Sequence, residues 1–332
     1  MKAVIWTNYG SPDVLQLKEV EKPIPKDNEV LIKIHATTVE TGDCELRQYK
    51  MHNKIVYPMR LYFGLRRPTR VKILGQQLAG EIESVGQDVT EFKKGDLVFA
   101  PVEMSFGTYA EYICLSSTQT MAIKPTNMSF EEAAAVSVGG LNALHFLKKA
   151  NIQPADIQPD QKILIYGTSG TIGTYAVQLT KNFGAQVTGV CSPSKMELVK
   201  SLGADALIDY TKDDFVKNGH FDGGPYDIIF DTIGKGPFSV SLNSLKNNGI
   251  YLLANPTVSQ MLLALWHSLT TRKKVMFEFA SYKTEDLNVL KELIEAGKLK
   301  TVIDRRYPLE QIVEAHRYVE QGHKKGNVIV TV

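Results

Sequence analysis

Cysteine is scarce in this sequence of 332 residues, and the three thiols, Cys44, Cys114 and Cys191, are far apart. An odd number of widely spaced cysteines predicts no disulfide framework and fits a reducing compartment. Long apolar runs are also missing, because the most apolar stretch, Met261–Leu269, is well short of the ~20 residues that span a bilayer. We interpret that stretch as a buried or interface helix. Since the N-terminal apolar run is too short for a signal peptide, we expect a cytoplasmic protein.

An excess of charge of one sign is absent too. The formal net charge is only +2, which predicts neither a nucleic acid nor an anionic membrane as a partner. Hydrophobic residues make up 43% of the chain and charged residues 22%, as in ordinary soluble globular proteins. At ~150 residues per domain, the length predicts about two domains.

The first part of the chain, to about residue 120, alternates apolar and polar residues in short runs separated by glycine or proline. The clearest predicted strands are Glu29–Val39, Leu78–Gly86, Gly95–Val102 and Gly107–Leu115. Such a succession favours a compact β-barrel or sandwich. The pattern changes at Ser129, where SFEE is a capping box that predicts the start of an apolar helix. Because Gly139 and Gly140 interrupt this helix, we expect a break or a close packing contact there.

From Lys162 onwards, apolar strands alternate with helices. The predicted strands are KILIYG, QVTGVC, DALIDY, YDIIFDTI, GIYLLA and VMFEFA, and helical patterns such as IGTYAVQLTKNF and SKMELVKSLG lie between the early ones. This alternation is typical of a parallel sheet with helices on both faces. The tail of the chain follows a strand, helix, strand pattern that is compatible with a return to the first domain.

Three glycines, Gly167, Gly170 and Gly173, stand between the first of these strands and the helix that follows it. In a dinucleotide site the first glycine makes the tight turn, the second lets the backbone approach the pyrophosphate, and the third lets the helix pack on the strand. The pyrophosphate then lies at the helix N-terminus, where free N–H groups and the helix dipole favour negative charge. Although this spacing is not the commonest fingerprint, its strand–loop–helix–strand context favours cofactor binding over a plain tight turn.

The end of the second strand of this unit selects the cofactor. An NAD site places an Asp or Glu ~20 residues further on, where it holds the ribose 2′-hydroxyl. The sequence at this point is VCSPSK, without a carboxylate, and the Ser192 hydroxyl and the Lys195 ammonium suit a 2′-phosphate instead. Both residues have a structural alternative, Ser192 as a helix N-cap before Pro193 and Lys195 as a surface lysine. Because the Asp or Glu of an NAD site is absent here, the sequence predicts NADPH as the cofactor.

The sequence resembles the zinc-independent, quinone oxidoreductase-like branch of the medium-chain dehydrogenase/reductase superfamily. The resemblance covers nearly the whole chain and rests on ILGQQLAGEIESVGQDVTEFKKGDLVF, AAAVSVGGLNAL, YGTSGTIGTYAVQL, VTGVCSPSKMELVKSLGADALIDYT and KGNVIVTV. It implies an α/β fold with a GroES-like β-barrel domain and a Rossmann domain built on a doubly wound parallel sheet. The implied boundaries are 1–125 and 300–332 for the GroES-like substrate domain and 126–299 for the NADPH-binding Rossmann domain, with the active site in the cleft.

The same resemblance assigns cofactor contacts and cleft residues. The positions implied to bind the cofactor are Gly167, Thr168, Ser169, Gly170, Thr171, Ile172, Gly173, Ser192, Lys195, Tyr210, Thr232, Gly234, Ala254, Asn255, Phe279 and Asn327. The implied cleft residues are Glu40, Asp43 and Asn142, although many relatives have Asn in place of Glu40 and Thr in place of Asn142. A carboxylate at Glu40 either repels anionic substrates, relays a proton when desolvated, points to water or pairs with an Arg or Lys. Asp43 matches a recurrent aspartate that is more often structural than catalytic.

The zinc ligands of the superfamily's alcohol dehydrogenases are replaced in this sequence. The position of the first ligand, a cysteine, aligns with Glu40, and the Gly-His-Glu position reads GQQ, Gly75–Gln77. Glutamine is a poor zinc ligand beside histidine or cysteine. Three distant cysteines also cannot supply the four closely spaced ones of a structural zinc lobe. We therefore expect a metal-free protein.

The resemblance implies hydride transfer from NADPH to a quinone or an α,β-unsaturated carbonyl compound. Because fold alone does not give function, an NADPH-binding sensor or scaffold with little turnover stays open, as does a zinc-type alcohol dehydrogenase. Tyr49, Tyr57 and Tyr62 lie in a loop-like stretch that is suited to line the cleft, although surface packing explains each separately.

Relatives commonly pair through the edge strand of the Rossmann sheet. The matching segment here is VMFEFASY, Val275–Tyr282, so we expect a homodimer to which Met261–Leu269 adds apolar area.

Overall fold

The computed structural model of the protein describes residues 1–49, 61–153, 160–212 and 218–332. The chain forms two compact units, which we call unit 1 and unit 2. Unit 1 contains Met1–Val138, Lys283–Gly297 and Thr301–Val332, and unit 2 contains Gly139–Tyr282 and Lys298–Lys300.

The strands are numbered in chain order. They are β1 Lys2–Trp6, β2 Leu15–Glu19, β3 Glu29–Thr38, β4 Gln77–Val85, β5 Leu97–Pro101, β6 Tyr112–Ser116, β7 Ala122–Ile123, β8 Lys162–Tyr166, β9 Gln186–Cys191, β10 Ala206–Asp209, β11 Tyr226–Asp231, β12 Leu245–Leu253, β13 Lys274–Phe277, β14 Ile303–Pro308 and β15 Asn327–Thr331. The α-helices of the described residues are α1 Thr41–Gln48, α2 Phe130–Ala134, α3 Ser137–Lys149, α4 Thr171–Asn182, α5 Met196–Ser201, α6 Phe238–Asn243, α7 Val258–Thr270, α8 Thr284–Glu295 and α9 Ile312–Glu320.

Unit 1 is built on a mainly antiparallel sheet in the order β14-β15-β3-β4-β5-β7, with β6 paired to β3 and a separate β1–β2 pair. Alternate residues of its strands point into a shared apolar core, as the period of two in the sequence predicts. The core between the strands contains Val30, Ile32, Ile34, Leu78 and Val98. The predicted β domain and its principal strands are therefore present.

The bounds of unit 1 differ from the predicted ones in two segments and at Lys300, which belongs to unit 2. Residues 126–138 and 283–297 belong to unit 1, whereas the sequence assigned them to the Rossmann domain. The Asn127 side chain donates to the Ile294 carbonyl at 2.9 Å, and the Thr126 amide donates to Glu295 Oε1 at 3.2 Å. These bonds join α8 to the segment that precedes α2, over a distance of about 170 residues in the sequence that no local pattern reports.

Unit 2 contains a parallel six-stranded sheet in the order β10-β9-β8-β11-β12-β13. This is the doubly wound order, in which the chain direction across the sheet reverses between β8 and β11. In such sheets the ligand crevice lies at the carboxyl ends of the strands on either side of this switch point. The predicted parallel sheet is confirmed, and it brings the glycine loop after β8 next to the turn after β11.

The predicted interruption at Gly139 and Gly140 is a close packing contact and not a break. Helix α3 runs without a break through both glycines, and the chain instead leaves the helix between Ala134 and Ser137. A Cβ on Gly139 would lie 2.7 Å from Thr171 Cγ2 and 3.0 Å from Tyr175 Cδ2. Glycine at this position therefore lets α3 approach α4 closely.

Strand β13 is the outer strand of the described sheet, as expected, but it is shorter than predicted. It ends at Phe277, and the prediction that the strand continues to Tyr282 is wrong. The Glu278 carboxylate lies 2.6 Å from His145 Nε2 and 3.1 Å from Lys149 Nζ, both on α3. This attachment draws the chain away from the sheet after four residues of strand. The expected homodimer stays a prediction.

Among the described residues, no helix combines the length and the apolar character that crossing a membrane requires. The predicted location in the cytoplasm stays a prediction.

Candidate functional site

The glycine loop after β8 is shaped by two glycines that the packing requires. Gly167 has φ of +85°, and a Cβ there would lie 2.8 Å from Thr232 Oγ1. A Cβ on Gly173 would lie 2.2 Å from the Gly167 carbonyl oxygen, so this glycine lets α4 pack onto the loop. Thr168 is fully buried and donates from Oγ1 to the Val190 carbonyl at 3.1 Å, which fixes the loop to β9.

The middle glycine has no such packing reason among the described residues. Gly170 has φ of −85°, which any residue adopts, and the nearest atom to a Cβ there would be the Gly167 oxygen at an ordinary 3.5 Å. Gly170 is also the N-cap of α4, where the first N–H groups of a helix lack partners within the helix. An open cradle at a helix N-terminus suits an anion such as a pyrophosphate.

The turn after β11 lies directly beside this loop. Thr232 donates from Oγ1 to the Tyr166 carbonyl at 3.0 Å, and the Asn255 side chain donates to the Thr232 carbonyl at 2.9 Å. Gly234 has φ of +67°, and a Cβ there would collide with the Asn255 carbonyl oxygen at 1.8 Å. The Ala254 amide donates to the Asp231 carbonyl at 3.0 Å.

The turn is organised by a carboxylate that the sequence reasoning did not single out. Asp231 is fully buried and accepts the amide N–H groups of Ile233, Gly234 and Gly236 at 3.0, 2.8 and 2.8 Å. Burial raises the pKa of its carboxyl above the ordinary value, and the amide donors oppose that shift. An aspartate that accepts the amides two and three residues further on, as Asp231 does from Ile233 and Gly234, is a common turn pattern.

The predicted 2′-phosphate residues lie at the ends of β9 and β10. Ser192 occupies the N-cap position of a short 3₁₀ turn, but within the described residues its side chain makes no capping hydrogen bond and lies 3.3 Å from Ser194 Oγ. The Lys195 amide donates to the Ser192 carbonyl at 3.0 Å, and the Tyr210 amide donates to the Cys191 carbonyl at 3.4 Å. The Tyr210 ring lies 6.5 Å from the Tyr166 ring.

One carboxylate does stand near the end of β9, and the sequence reasoning overlooked it. Asp209 is paired in register with Cys191 across the β9–β10 ladder. Its Oδ1 accepts both the amide and the hydroxyl of Thr211, at 2.9 and 2.7 Å. Asp209 thus serves a local turn, and these bonds hold its pKa below the ordinary value.

Three further predicted residues lie on other elements. Phe279 follows the end of β13 and is 93% exposed. Asn142 lies on α3 and donates from Nδ2 to the Tyr282 hydroxyl at 2.7 Å. Asn327 belongs to unit 1, where its side-chain Nδ2 donates to the Val302 carbonyl at 3.1 Å, and its buried Oδ1 has no hydrogen-bond partner among the described residues.

Unit 1 contains a largely buried group of polar side chains that we call the carboxylate cluster: Glu40, Asp43, Gln76, Gln77, Tyr109 and Lys324. Glu40 Oε1 accepts from Thr38 Oγ1 at 3.1 Å and from Gln77 Nε2 at 3.0 Å. Glu40 Oε2 lies 3.7 Å from the Lys324 ammonium, and both side chains are only 9% exposed. Glu40 is therefore buried and paired with a lysine instead of pointing to water, and its roles in repelling anionic substrates or relaying a proton stay predictions.

Asp43 is the second carboxylate of the cluster and is fully buried. It accepts from the Glu40 amide at 3.0 Å, from the Tyr109 hydroxyl and Gln76 Nε2 at 3.1 Å, and from the Gly75 amide at 3.3 Å. Burial raises the pKa of Asp43 to about 6, although these donors favour the charged form. All of these donors belong to unit 1, and the structural role that the resemblance implies for Asp43 stays a prediction.

A histidine that the sequence reasoning missed borders this cluster. His316 on α9 is buried, and its Nδ1 lies 3.3 Å from both Cys44 Sγ and Arg47 Nε. Burial, assisted by the Arg47 charge, lowers the pKa of His316 to about 3, so the ring is neutral. Arg47 also forms an ion pair with Glu320. No sequence pattern joins Cys44 to a residue 272 positions later.

The described residues contain no group of three or more His, Cys, Asp or Glu side chains that is arranged to hold a metal ion.

Of the three loop tyrosines, Tyr49 packs 5.3 Å from the Tyr9 ring and Tyr62 packs under the Arg70 guanidinium at 4.1 Å. Tyr57 lies outside the described residues.

Comparison with known proteins identifies the family. The family model of the alcohol dehydrogenase GroES-like domain matches residues 26–125, and the model of the zinc-binding dehydrogenase matches residues 202–330. Among curated proteins, the chloroplastic quinone-oxidoreductase QR1 of Triphysaria versicolor is 33% identical over 99% of this chain and 98% of its own length. The mitochondrial NAD(P)H oxidoreductase RTN4IP1 of Bos taurus is 30% identical over 100% of this chain and 89% of its own length.

A solved structure shows the same fold. The quinone oxidoreductase from Coxiella burnetii superposes with a TM-score of 0.87 at 27% identity, and the match covers 100% of this chain and 99% of that one. Unit 1 thus contains the expected GroES-like domain, and the sheet of unit 2 is the expected Rossmann sheet. The chain belongs to the medium-chain dehydrogenase/reductase superfamily, in its quinone oxidoreductase-like branch.

Proposed function

We propose that this protein is a zinc-independent oxidoreductase that uses NADPH to reduce a quinone or an α,β-unsaturated carbonyl compound. The observation that carries the proposal is Gly170, a glycine that packing does not require, at the open N-terminus of α4. A ligand that needs close access to the backbone explains the missing side chain, and a pyrophosphate is the ligand that such a helix end favours.

The choice of NADPH is supported by the groups at the end of β9. The Ser192 hydroxyl is not committed to a helix cap, and Lys195 supplies a positive charge in the same turn. The acid nearest to this strand end, Asp209, is bonded to Thr211. The site therefore offers a hydroxyl and an ammonium to a 2′-phosphate, which are the donors that such a group prefers.

Zinc does not fit the residues at the position of the superfamily's catalytic metal. Gln76 and Gln77 direct amide N–H groups towards Asp43 and Glu40, and the Lys324 ammonium lies beside Glu40. The carboxylate oxygens that a metal would need already face donors and a positive charge. Soft nitrogen and sulfur ligands, which zinc prefers, are missing at these positions.

NADPH supplies a hydride when bound, and the chain positions it. The loop Gly167–Gly173 and the α4 N-terminus would hold the pyrophosphate, while Ser192, Lys195 and Tyr210 would hold the adenosine phosphate. Thr232 and Asn255 fix the turn that borders the loop. A quinone is a cyclic unsaturated diketone. One site that places an electron-poor carbon to receive the hydride would therefore serve both quinones and α,β-unsaturated carbonyl compounds. QR1 and the Coxiella protein, both quinone oxidoreductases by name, favour this class of acceptor.

The experiment is NADPH oxidation by the full chain with a panel of quinones and enones, after dialysis against a chelator and with metal analysis of the same sample. We expect turnover on at least one acceptor and no stoichiometric zinc. Tight NADPH binding without turnover on any acceptor would instead identify a binding protein. Activity that chelation removes and zinc restores would identify an alcohol dehydrogenase of the zinc type.

A further inference from the structure

The chain beyond β13 is fastened along helix α3. Glu278 pairs with two side chains of α3, and four residues later the Tyr282 hydroxyl accepts from Asn142 Nδ2 at 2.7 Å. Asn142 and Tyr282 are both half-buried. Because β13 ends at Phe277, Tyr282 is not part of the outer strand through which we expect two chains to pair. Its hydroxyl is held by α3 instead.

The same helix meets the glycine loop. A Cβ on Gly139 would lie 2.7 Å from Thr171 Cγ2, so α3 touches the first residue of α4. Asn142 comes three residues later, which is about 4.5 Å along the axis of α3 and on nearly the same side of the helix. The Tyr282 hydroxyl is therefore held about one helical turn along α3 from the N-terminus of α4, where the pyrophosphate would bind.

The order of the strands places this hydroxyl at the nicotinamide end of the proposed site. Neighbouring strands of the sheet follow the order β9-β8-β11-β12-β13. The proposed adenosine-phosphate residues begin at Ser192, directly after β9, and the pyrophosphate loop follows β8. A dinucleotide bound in this direction would continue from β8 over the carboxyl ends of β11 and β12. Tyr282 follows β13, so it lies on the side to which the nicotinamide and the substrate would extend.

The direction of the hydrogen bond to Tyr282 suits an acid. The Tyr109 hydroxyl of the carboxylate cluster donates its proton to Asp43. Tyr282 is instead the acceptor of the Asn142 amide, so this bond occupies an oxygen lone pair and not the phenolic proton. Because zinc does not fit this chain, the charge that develops on the substrate oxygen needs a donor or an acid from the protein or from water.

We propose that Tyr282 is the general acid of the reaction and that Asn142 positions its hydroxyl, an inference that rests on the proposed function. Hydride addition to the β-carbon breaks the C=C π bond, and the displaced electron pair ends on the carbonyl oxygen. Tyr282 Oη transfers its proton to that oxygen and later takes a proton from water. The enol formed in this way tautomerises to the saturated ketone or, from a quinone, to the hydroquinone.

Asn142 acts through the tyrosine and not on the substrate. Once Tyr282 has given up its proton, the Asn142 Nδ2–H group donates to the phenolate oxygen that remains. A hydrogen bond donated to the charged form of a group favours that form, so the amide assists the transfer. Asn142 is therefore a positioning residue, and its effect should depend on the hydroxyl of Tyr282.

The first test measures binding and needs no turnover. 4-Nitrophenol resembles the reduced acceptor, since its oxygen carries the charge that the substrate oxygen develops. With NADP⁺ present, wild type should bind 4-nitrophenol about tenfold more tightly than Tyr282→Phe, because the variant lacks one charge-assisted hydrogen bond. Tyr318→Phe is the matched control: its hydroxyl also makes a hydrogen bond of 2.7 Å, to Asp304 in unit 1, and this variant should bind like wild type.

Turnover supplies the second test. On an enone, Tyr282→Phe should lower kcat by about a hundredfold or more, the usual contribution of a general acid, while the affinity for NADPH stays unchanged. On a quinone with electron-withdrawing substituents the loss should be smaller, because the reduced anion is a weak base that needs an acid less. Tyr282→Phe removes only the hydroxyl, so the fold should survive.

A double-mutant cycle tests the positioning role. Asn142→Ala should lower kcat on the enone by about tenfold in the wild-type chain and very little in Tyr282→Phe, because the two residues act as one unit. A merely structural role of Asn142 would give the same loss in both backgrounds, and that result would overturn its assignment.

The outcomes separate this proposal from the proposed function. Equal kcat values of wild type and Tyr282→Phe on the enone would overturn the role of Tyr282 and leave the proposed function intact. So would equal binding of 4-nitrophenol by the two proteins, whether tight or weak. Wild type without turnover on any acceptor would overturn the proposed function, and the role of Tyr282 with it.

Discussion

The glycine loop of unit 2 and the carboxylate cluster of unit 1 are both polar, but they use their polar groups in opposite ways. In the cluster, the oxygens of Glu40 and Asp43 face amides, hydroxyls and an ammonium of the same unit. In the loop, the N-cap of α4 is a glycine without a side chain, and the space above it is open. Groups that satisfy one another stabilise a fold, whereas a helix N-terminus, whose first N–H groups have no partner within the helix, suits an anionic ligand. The comparison assigns structure to the first region and binding to the second.

The largest expected effect concerns the buried pair Glu40–Lys324. Lys324→Met leaves the Glu40 carboxylate buried without its cation, and removing one partner of a buried pair costs about 3–5 kcal/mol. The double variant Lys324→Met with Glu40→Gln buries no net charge, so it should recover most of the loss. The urea concentration at the unfolding midpoint measures the stability of both variants. Lys325→Met changes the adjacent exposed lysine and is the control; an equal loss there would contradict the structural role of the pair.

A somewhat smaller effect concerns the pH dependence of stability in unit 1. Folding lowers the pKa of His316 from 6.5 to about 3. Between these two pH values the unfolded chain binds a proton that the folded chain does not. The free energy of unfolding therefore falls as the pH is lowered from 6.5 to about 3. The pKa of Asp43 rises from 3.8 to about 6, so stability falls as the pH is raised through that range. Each group contributes a slope of about 1.4 kcal/mol per pH unit, and from about pH 4 to 6 the two slopes oppose each other.

Two variants separate these slopes. In Asp43→Asn the His316 slope remains, so stability should fall by about 3 kcal/mol as the pH is lowered from about 6 to 4. In His316→Asn the Asp43 slope remains, and stability should fall as the pH is raised across the same interval. Urea unfolding midpoints at several pH values provide the slopes relative to wild type. Parallel pH profiles for the two variants would mean that these groups do not titrate as the structure implies.

The next effect separates the glycines of the loop. Gly173→Ala places a Cβ 2.2 Å from a backbone oxygen and should destabilise unit 2 by about 1–3 kcal/mol, as overpacking does. Gly170→Ala meets only an ordinary contact at 3.5 Å but puts a poorer N-cap residue on α4, so stability should fall by no more than about 1 kcal/mol while NADPH binding weakens by about tenfold through the loss of close backbone approach. Unaltered NADPH affinity in Gly170→Ala would remove the main support for the proposed function.

The local features of the fold were predictable because neighbours in the sequence determine them. The alternation of β3, the capping box at Ser129 and the strand–loop–helix unit around Gly170 all depend on residues within a few positions of one another. The order of the parallel strands also followed the expected α/β pattern. The resemblance to the family supplied the positions of the cofactor turn after β11, which periodicity alone does not single out.

The features that the sequence did not predict depend on contacts between distant residues. Lys324 reaches Glu40, and His316 reaches Cys44, only after the chain has returned to unit 1. Strand β13 ends early because Glu278 binds side chains of α3, which precedes it by more than a hundred residues. Helix α7 is present as the sequence predicted, and because Leu262, Trp266 and Leu269 are exposed in the single chain, its role at an interface stays a prediction.

The central claim is that unit 2 binds NADPH through the open loop and the 2′-phosphate residues, and a titration of the full chain with NADPH and with NADH tests it most directly. We predict that NADPH binds about tenfold or more tightly, because a charge-assisted bond to the phosphate contributes ~1.5–3 kcal/mol. Lys195→Ala should erase most of this preference, while Lys200→Ala, an exposed lysine on α5, should leave it intact. Equal affinities for NADPH and NADH in the wild-type chain would contradict the assignment.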